Sequence, residues 1–147
     1  MAGNCRSKGM DTNVIIFDTS IFIDHLRTNC HKERIAAIRG LVRTSSVVLA
    51  ELWRGATKAA ERDFLKALEK NHPILTPTEK NWLESGALLS RIYADTGFPP
   101  AKLRDLHFDV LIALTARTHG ARLITSDRAD FEIVRRYREF QLEVWRV

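Results

Sequence analysis

Val14-Ile15-Ile16-Phe17-Asp18-Thr19-Ser20 joins an uninterrupted apolar run to three polar residues. Consecutive apolar residues without alternation read as a strand buried on both faces, which is the habit of a parallel sheet. The run covers residues 14–18 and ends at Asp18, where the chain opens into a helix over residues 20–26. Working outward, a second helix is predicted over 32–41, a strand over 44–48 and a helix over 50–55. A helix over 59–70 follows, with Phe64, Leu65 and Leu68 on one face, and then a short strand at 72–75 stopped by Pro77. The helix predicted over 78–96 carries Trp82, Leu89 and Tyr93 along one stripe, and Gly97-Phe98-Pro99-Pro100 ends it. A helix over 105–119 closed by Gly120, a strand over 122–125, a helix over 129–137 and a strand over 142–145 complete the chain. Such alternation defines an α/β sandwich, a central parallel sheet with helices packed on it.

Four acids stand where this alternation turns polar. Asp18 closes the first strand, and Asp127 follows Arg122-Leu123-Ile124-Thr125 by way of Ser126. Glu51 follows Ser46-Val47-Val48-Leu49-Ala50, and Asp109 opens the apolar stretch Val110-Leu111-Ile112-Ala113-Leu114-Thr115-Ala116. An open parallel sheet forms its sites outside the carboxyl ends of its strands, so all four are expected on that edge. Simpler roles exist for three of them: Asp18 and Asp127 as helix N-caps, and Glu51 as the partner of Arg54. Asp109 resists such a role, because a lone charge beside Phe108 and Val110-Leu111-Ile112 is costly unless paired or bound to metal. One shared metal site accounts for all four. Hard divalent cations prefer oxygen ligands, and Mg²⁺ keeps several of its waters, so a few carboxylates hold it while leaving room for phosphate and water. Asp18, Glu51 and Asp109 are expected around a first ion, with Asp127 completing the site or recruiting a second.

Other ligand sets are not indicated. The five histidines show no HxxxH or HExxH spacing, and His25 and His107 read as surface or packing residues. Cys5 and Cys30 lack CxxC spacing, and Cys30 lies in a predicted loop beside His31, so neither a disulfide framework nor a zinc site is expected. At 147 residues the chain is one domain, able to bury about 70% of its unfolded surface without staples. Residues 1–12 are expected to be a disordered tail, with Met10 as an alternative start, ahead of a domain over 13–147. That opening has no apolar signal core, no run approaches the roughly 20 residues of a membrane span, and the cysteine usage fits the cytoplasm. The net charge of +5 persists although four acids are committed to one spot. Clusters at Arg39 and Arg43, at Lys102 and Arg104, and at Arg135, Arg136 and Arg138 suit a phosphate backbone and tilt the substrate toward nucleic acid.

Ile16-Phe17-Asp18-Thr19-Ser20-Ile21-Phe22-Ile23-Asp24-His25-Leu26-Arg27 resembles the opening of PIN-domain ribonucleases, especially the VapC toxins of type II toxin–antitoxin pairs. Leu49-Ala50-Glu51-Leu52-Trp53-Arg54-Gly55 is similar to their second motif, Phe108-Asp109-Val110-Leu111-Ile112-Ala113 to the third, and Leu123-Ile124-Thr125-Ser126-Asp127-Arg128-Ala129-Asp130-Phe131 to the fourth. The four occur in order and span nearly everything from Val14 onward. The resemblance implies a PIN-like three-layer sandwich, Mg²⁺- or Mn²⁺-dependent cleavage of RNA, a homodimer and a small cognate antitoxin that blocks the site. It carries Asp18, Glu51, Asp109 and Asp127 over as the acidic quartet, Ser20 as a supporting polar group, and Asp130 as a variable position whose other role is helix capping. An Arg or Lys of the antitoxin would replace the metal's charge, with apolar partner residues over the helix holding Ile35 and Ile38. A housekeeping PIN nuclease and a non-catalytic RNA-binding PIN domain are the alternatives, the latter expected to have lost some acids. A haloacid-dehalogenase-type phosphatase would need a second Asp where Ser20 stands.

Overall fold

The computed structural model describes residues 13–146, so the expected tail, Met10 and Cys5 lie outside the described residues. Strand β1 (Val14–Phe17) leads into helices α1 (Thr19–Thr28) and α2 (Lys32–Ala36), then β2 (Leu41–Ser45) and helices α3 (Ser46–Gly55) and α4 (Ala59–Asn71). After β3 (Ile74–Leu75) come α5 (Glu79–Thr96), α6 (Pro100–Thr118), β4 (Arg122–Thr125), α7 (Arg128–Tyr137) and β5 (Gln141–Val144). All five strands are parallel, in the order β3-β2-β1-β4-β5.

β1 is central because Ile15 and Ile16 are wholly buried, and it pairs on both edges, with Ile15 opposite Val42 on one side and Arg122 on the other. Strand order runs one way from β1 to β3 and the other way through β4 and β5. Right-handed crossovers therefore lay α1 to α4 on one face and α5 to α7 on the other. Contacts of α1 with α3, of α3 with α4, of α5 with α6 and of α6 with α7 follow that division, and α3 also meets α6, with Arg54 over Phe108. This is the three-layer sandwich that the sequence predicts. Where the order reverses, between β1 and β4, the carboxyl ends of the strands diverge into a crevice. Asp18 and Ser126-Asp127 emerge there, and the Asp18 N–H donates to the Ile124 carbonyl at 2.8 Å.

Two elements anchor this edge. Residues 110–116 of α6 are all buried, as befits a helix that is apolar on every side. Past β5, Trp145 is 5% exposed, with its ring centroid 5.7 Å from Phe17 and 5.5 Å from His31. Its N–H donates to the Thr125 carbonyl at 2.8 Å, which extends the β4–β5 pairing to the last residue of β4.

Several boundaries differ from expectation for identifiable reasons. Val47 and Val48 belong to α3 rather than to the second strand: the Ser45 hydroxyl accepts their N–H groups at 3.1 and 3.3 Å and starts the helix there. Glu51 therefore sits in the second turn of a helix that begins at Ser46, not at the start of one beginning at residue 50. α2 ends at Ala36 instead of running to 41. α6 begins at Pro100 and not at Asp105, because a proline is suited to the first helical position. Trp82 and Tyr93 are about half exposed; the buried face of α5 is Asn81, Ser85, Leu88 and Ile92. Leu65 is buried as expected, with Phe64 and Leu68 packed beside it.

Gly40 sets the entry to β2. Its φ of +138° suits glycine, and an added Cβ would sit 2.5 Å from the Asn13 carbonyl oxygen, the same atom that accepts the Leu41 N–H at 2.8 Å. Gly86, in the exposed middle of α5, has open space where a Cβ would go. Gly40→Ala is expected to cost about 1–3 kcal/mol and to lower the melting temperature by several degrees. Gly86→Ala should raise stability by roughly 0.5–1 kcal/mol. Thermal melts of the two variants against the parent check both signs.

Candidate metal centre

Asp18 is the best-held member of the quartet. It is 4% exposed, and its Oδ2 accepts from the Ser20 hydroxyl at 2.9 Å and the Thr125 hydroxyl at 2.8 Å. Those hydroxyls lie 3.1 Å apart and tie down the loop after β4: Ser20 Oγ accepts the Ser126 N–H at 3.0 Å and Thr125 Oγ1 the Asp127 N–H at 2.9 Å. Neither Asp18 nor Asp127 makes a side-chain capping hydrogen bond to the helix that follows it. Both still stand at N-cap positions, where the backbone N–H groups of Thr19 and Ser20 favour the charged form of Asp18 and that of Asp130 favours the charged form of Asp127.

Glu51 reaches the same edge from α3, where its Oε1 accepts from the Thr19 hydroxyl at 2.7 Å. It forms no ion pair with Arg54 among the described residues; that guanidinium lies over the Phe108 ring at 5.5 Å. Asp109 projects from the middle of α6 and is half-buried, while Asp127 is exposed at the start of α7. Asp130, in the first turn of α7, is engaged by Lys102 of α6, whose Nζ donates to Oδ1 at 2.6 Å.

Burial, and then mutual repulsion, sets the electrostatics. Asp109 is pushed up to about 9, first by burial and then by the charges of Asp18, Asp130, Glu51 and Asp127. Burial likewise raises Asp18, partly offset by the Thr125 and Ser20 hydrogen bonds. Glu51 is raised by burial, drawn back by Thr19 and raised again by Asp18. Asp127 is raised by burial and by Asp130, against the pull of Lys102. The Lys102 ammonium is held protonated mainly by its bond to Asp130, with further help from Asp109 and Asp127. All six expected residues therefore share one electrostatic neighbourhood at the carboxyl edge. The acids are gathered but not drawn to ligand distance of one another: among the described residues, the one group of three His, Cys, Asp or Glu atoms within 4.8 Å is Asp24, Cys30 and His31. The donor set is all oxygen, which suits a hard divalent cation.

Sequence reasoning missed Thr19, Thr125 and the role of Lys102. Both threonines stand next to residues it did identify, and a hydroxyl at a strand tip was the available signal. Lys102 counted as part of a surface cluster; its spacing of seven from Asp109 places both on one helical face only once α6 is known to start at Pro100. His107 and His25 are packing residues as expected. His107 bonds Ser85 at 3.0 Å and is pushed down by burial, and the His25 ring lies 6.0 Å from Phe64.

The PIN domain model matches residues 11–137, and the chain belongs to the PIN-domain family. Solved structures of similar fold include toxin–antitoxin complexes. DNA-bound VapBC from Salmonella typhimurium aligns with a TM-score of 0.68 at 20% identity, covering 90% of this chain and 98% of that one. The VapBC-5 toxin–antitoxin structure from Mycobacterium tuberculosis aligns at 26% identity with a TM-score of 0.55, covering 91% and 98%. A toxin–antitoxin complex from Klebsiella pneumoniae aligns at 26% identity with a TM-score of 0.59, covering 80% and 89%. No curated protein sequence matches this chain.

The raised Asp109 dictates a stability trend. The folded chain holds a proton there up to about pH 9 that the unfolded chain, with an ordinary carboxyl near 3.8, has released. Unfolding thus loses a proton between those values, so stability is fullest below the lower one and falls as pH rises toward the upper. Without added metal, the melting temperature should decline from about pH 5 to about pH 8, and Asp109→Asn should flatten that decline and melt higher at the alkaline end. Scanning calorimetry across the range in chelator checks both; an equal slope in the variant would remove Asp109 as its source.

Proposed function

We propose that this protein is a metal-dependent endoribonuclease, the toxin of a type II toxin–antitoxin pair. The observation that carries the reading is a set of carboxylates gathered on the crevice edge, where burial first and mutual repulsion second push Asp109 up to about 9. Such a set calls for a cation, and Asp18, Glu51 and Asp109 would hold Mg²⁺ or Mn²⁺ with Asp127 completing the site. When bound, the ion supplies Lewis acidity toward a phosphodiester and an acidified water. The chain does the positioning. Ser20 and Thr125 hold Asp18 through one carboxylate oxygen, and Thr19 restrains one oxygen of Glu51. Lys102 keeps Asp130 paired and places a positive charge near Asp109 and Asp127, on the side where a phosphate would be drawn in.

Membership in the PIN family and the toxin–antitoxin neighbours support the partner. A groove of about 200 Å³ between α1, α3 and α4 is lined by Ile23, Leu26, Leu52 and Leu65 together with Glu51. Apolar antitoxin side chains fit there, with a basic residue directed at the carboxylates. This moves the expected contact away from Ile35 and Ile38, which are partly buried against the chain's own core. Trp82 and Tyr93 lie on one face of α5, about half exposed, and would be covered in a homodimer. No helix among the described residues is long and apolar enough to cross a membrane.

Purified Asp18→Asn or Asp109→Asn should lose RNA cleavage by on the order of a hundredfold or more, with a circular dichroism spectrum like the parent's. In the parent, Mg²⁺ or Mn²⁺ should raise the melting temperature, and less so below about pH 5, where protons compete for the carboxylates. Parent-level cleavage by either variant would overturn the assignment of the site. Co-purification with a small protein encoded beside the gene should give an inactive complex; an equally active complex would favour a housekeeping PIN nuclease.

A further inference from the structure

A second group of metal-ligating side chains lies outside the acidic edge. Asp24 stands in α1, Cys30 in the turn that follows and His31 at the N-cap of α2. The lack of CxxC spacing and the loop position of Cys30 beside His31 spoke against a zinc site in the sequence. The fold supplies a third ligand. Asn29 takes a left-handed φ of 57°, its N–H donating to the carbonyls of Asp24 and His25 at 3.2 and 3.0 Å, and the chain folds back over the last turn of α1. A carboxylate oxygen of Asp24, the Cys30 sulfur and a ring nitrogen of His31 consequently all lie within 4.8 Å of one another.

We propose that Asp24, Cys30 and His31 form a binding site for a zinc-type transition-metal ion, with a fourth position open to solvent. A thiol, an imidazole and one carboxylate form a softer donor set than the all-oxygen edge, and it selects Zn²⁺ over Mg²⁺. Tetrahedral zinc with bonds of about 2.0–2.3 Å separates its ligands by roughly 3.3–3.7 Å, so small side-chain rotations close the observed spacing. His31 is preorganised: it is 1% exposed in a run of exposed residues, its Nε2 is 3.0 Å from Asp24 Oδ2, and the Trp145 ring packs 5.5 Å away. Cys30 is exposed, so an ion has a way in. On binding, the Cys30 thiol releases its proton to solvent as the sulfur–metal bond forms, and the ligating ring nitrogen carries no proton, the ring's hydrogen residing on the other nitrogen.

The test uses the full-length chain with Cys5→Ser, which leaves Cys30 as the sole thiol of two. Adding Zn²⁺ should slow alkylation of Cys30 at least tenfold, reversibly with chelator, and Co²⁺ should produce a thiolate-to-metal charge-transfer band in the near ultraviolet. Asp24→Asn and His31→Gln should each weaken Zn²⁺ binding by about tenfold or more. Because His31 is buried, Asp24→Asn decides the matter if the histidine variant does not fold. Adding Asp18→Asn should leave the thiol signals intact, which separates this site from the acidic edge and from the nuclease reading. Unchanged alkylation in saturating Zn²⁺ without a cobalt band would overturn the proposal. So would a band that forms in Asp24→Asn at the same Co²⁺ concentration as in the parent, showing a thiol that binds metal without its neighbours.

Discussion

Burying Ile15 and Ile16 between two parallel neighbours fixes the register of β2 and β4 against β1, and with it the height at which the carboxyl ends emerge. A slip of one residue would turn the buried set of a strand to its opposite face, so the register is strongly specified. Asp18 and Thr125 consequently arrive at the same level, close enough for a 2.8 Å hydrogen bond between groups 107 residues apart in the chain. The acidic edge inherits its precision from apolar packing one layer below it.

That precision is set against electrostatic cost. Clustered carboxylates partly withdrawn from water oppose folding unless they keep protons or gain a cation. The chain relieves the opposition unevenly. Hydroxyls satisfy Asp18 and Glu51, Lys102 satisfies Asp130, and Asp109, bonded to none of these groups, retains its proton to about 9. Rigid groups at the edge and one proton-bearing group in its middle would suit a site organised before any ligand arrives.

The fold class and the acidic residues were legible because each depends on local pattern: an unbroken apolar run, a polar residue at its end and a helix beyond. What failed was local pattern overruled by context. Val47-Val48 has the composition of a strand, yet Ser45 caps a helix at that point and the pair is buried in it. Trp82 and Tyr93 suggested a core stripe, whereas the inward face of α5 includes Asn81 and Ser85, which bond Thr118 and His107. Polar residues paired across helices conceal a buried face from any reading based on hydrophobicity. Lys102 and the cluster of Asp24 with Cys30 and His31 depend on where helices begin and on how a turn doubles back, and spacing alone does not encode either.

The position of Trp145 bears on how the chain assembles during synthesis. Its backbone N–H bonds Thr125, its ring packs on Phe17 at the end of β1, and Thr125 in turn holds Asp18. The end of β1 therefore waits on partners 107 and more residues later in the chain. Domains form as units while the chain emerges from the ribosome, and until residues through Trp145 are available Thr125 lacks a backbone partner and Phe17 a ring neighbour beside the first acid. A chain cut short before Trp145 would carry all of the acids without the packing that backs the strand ends beneath them.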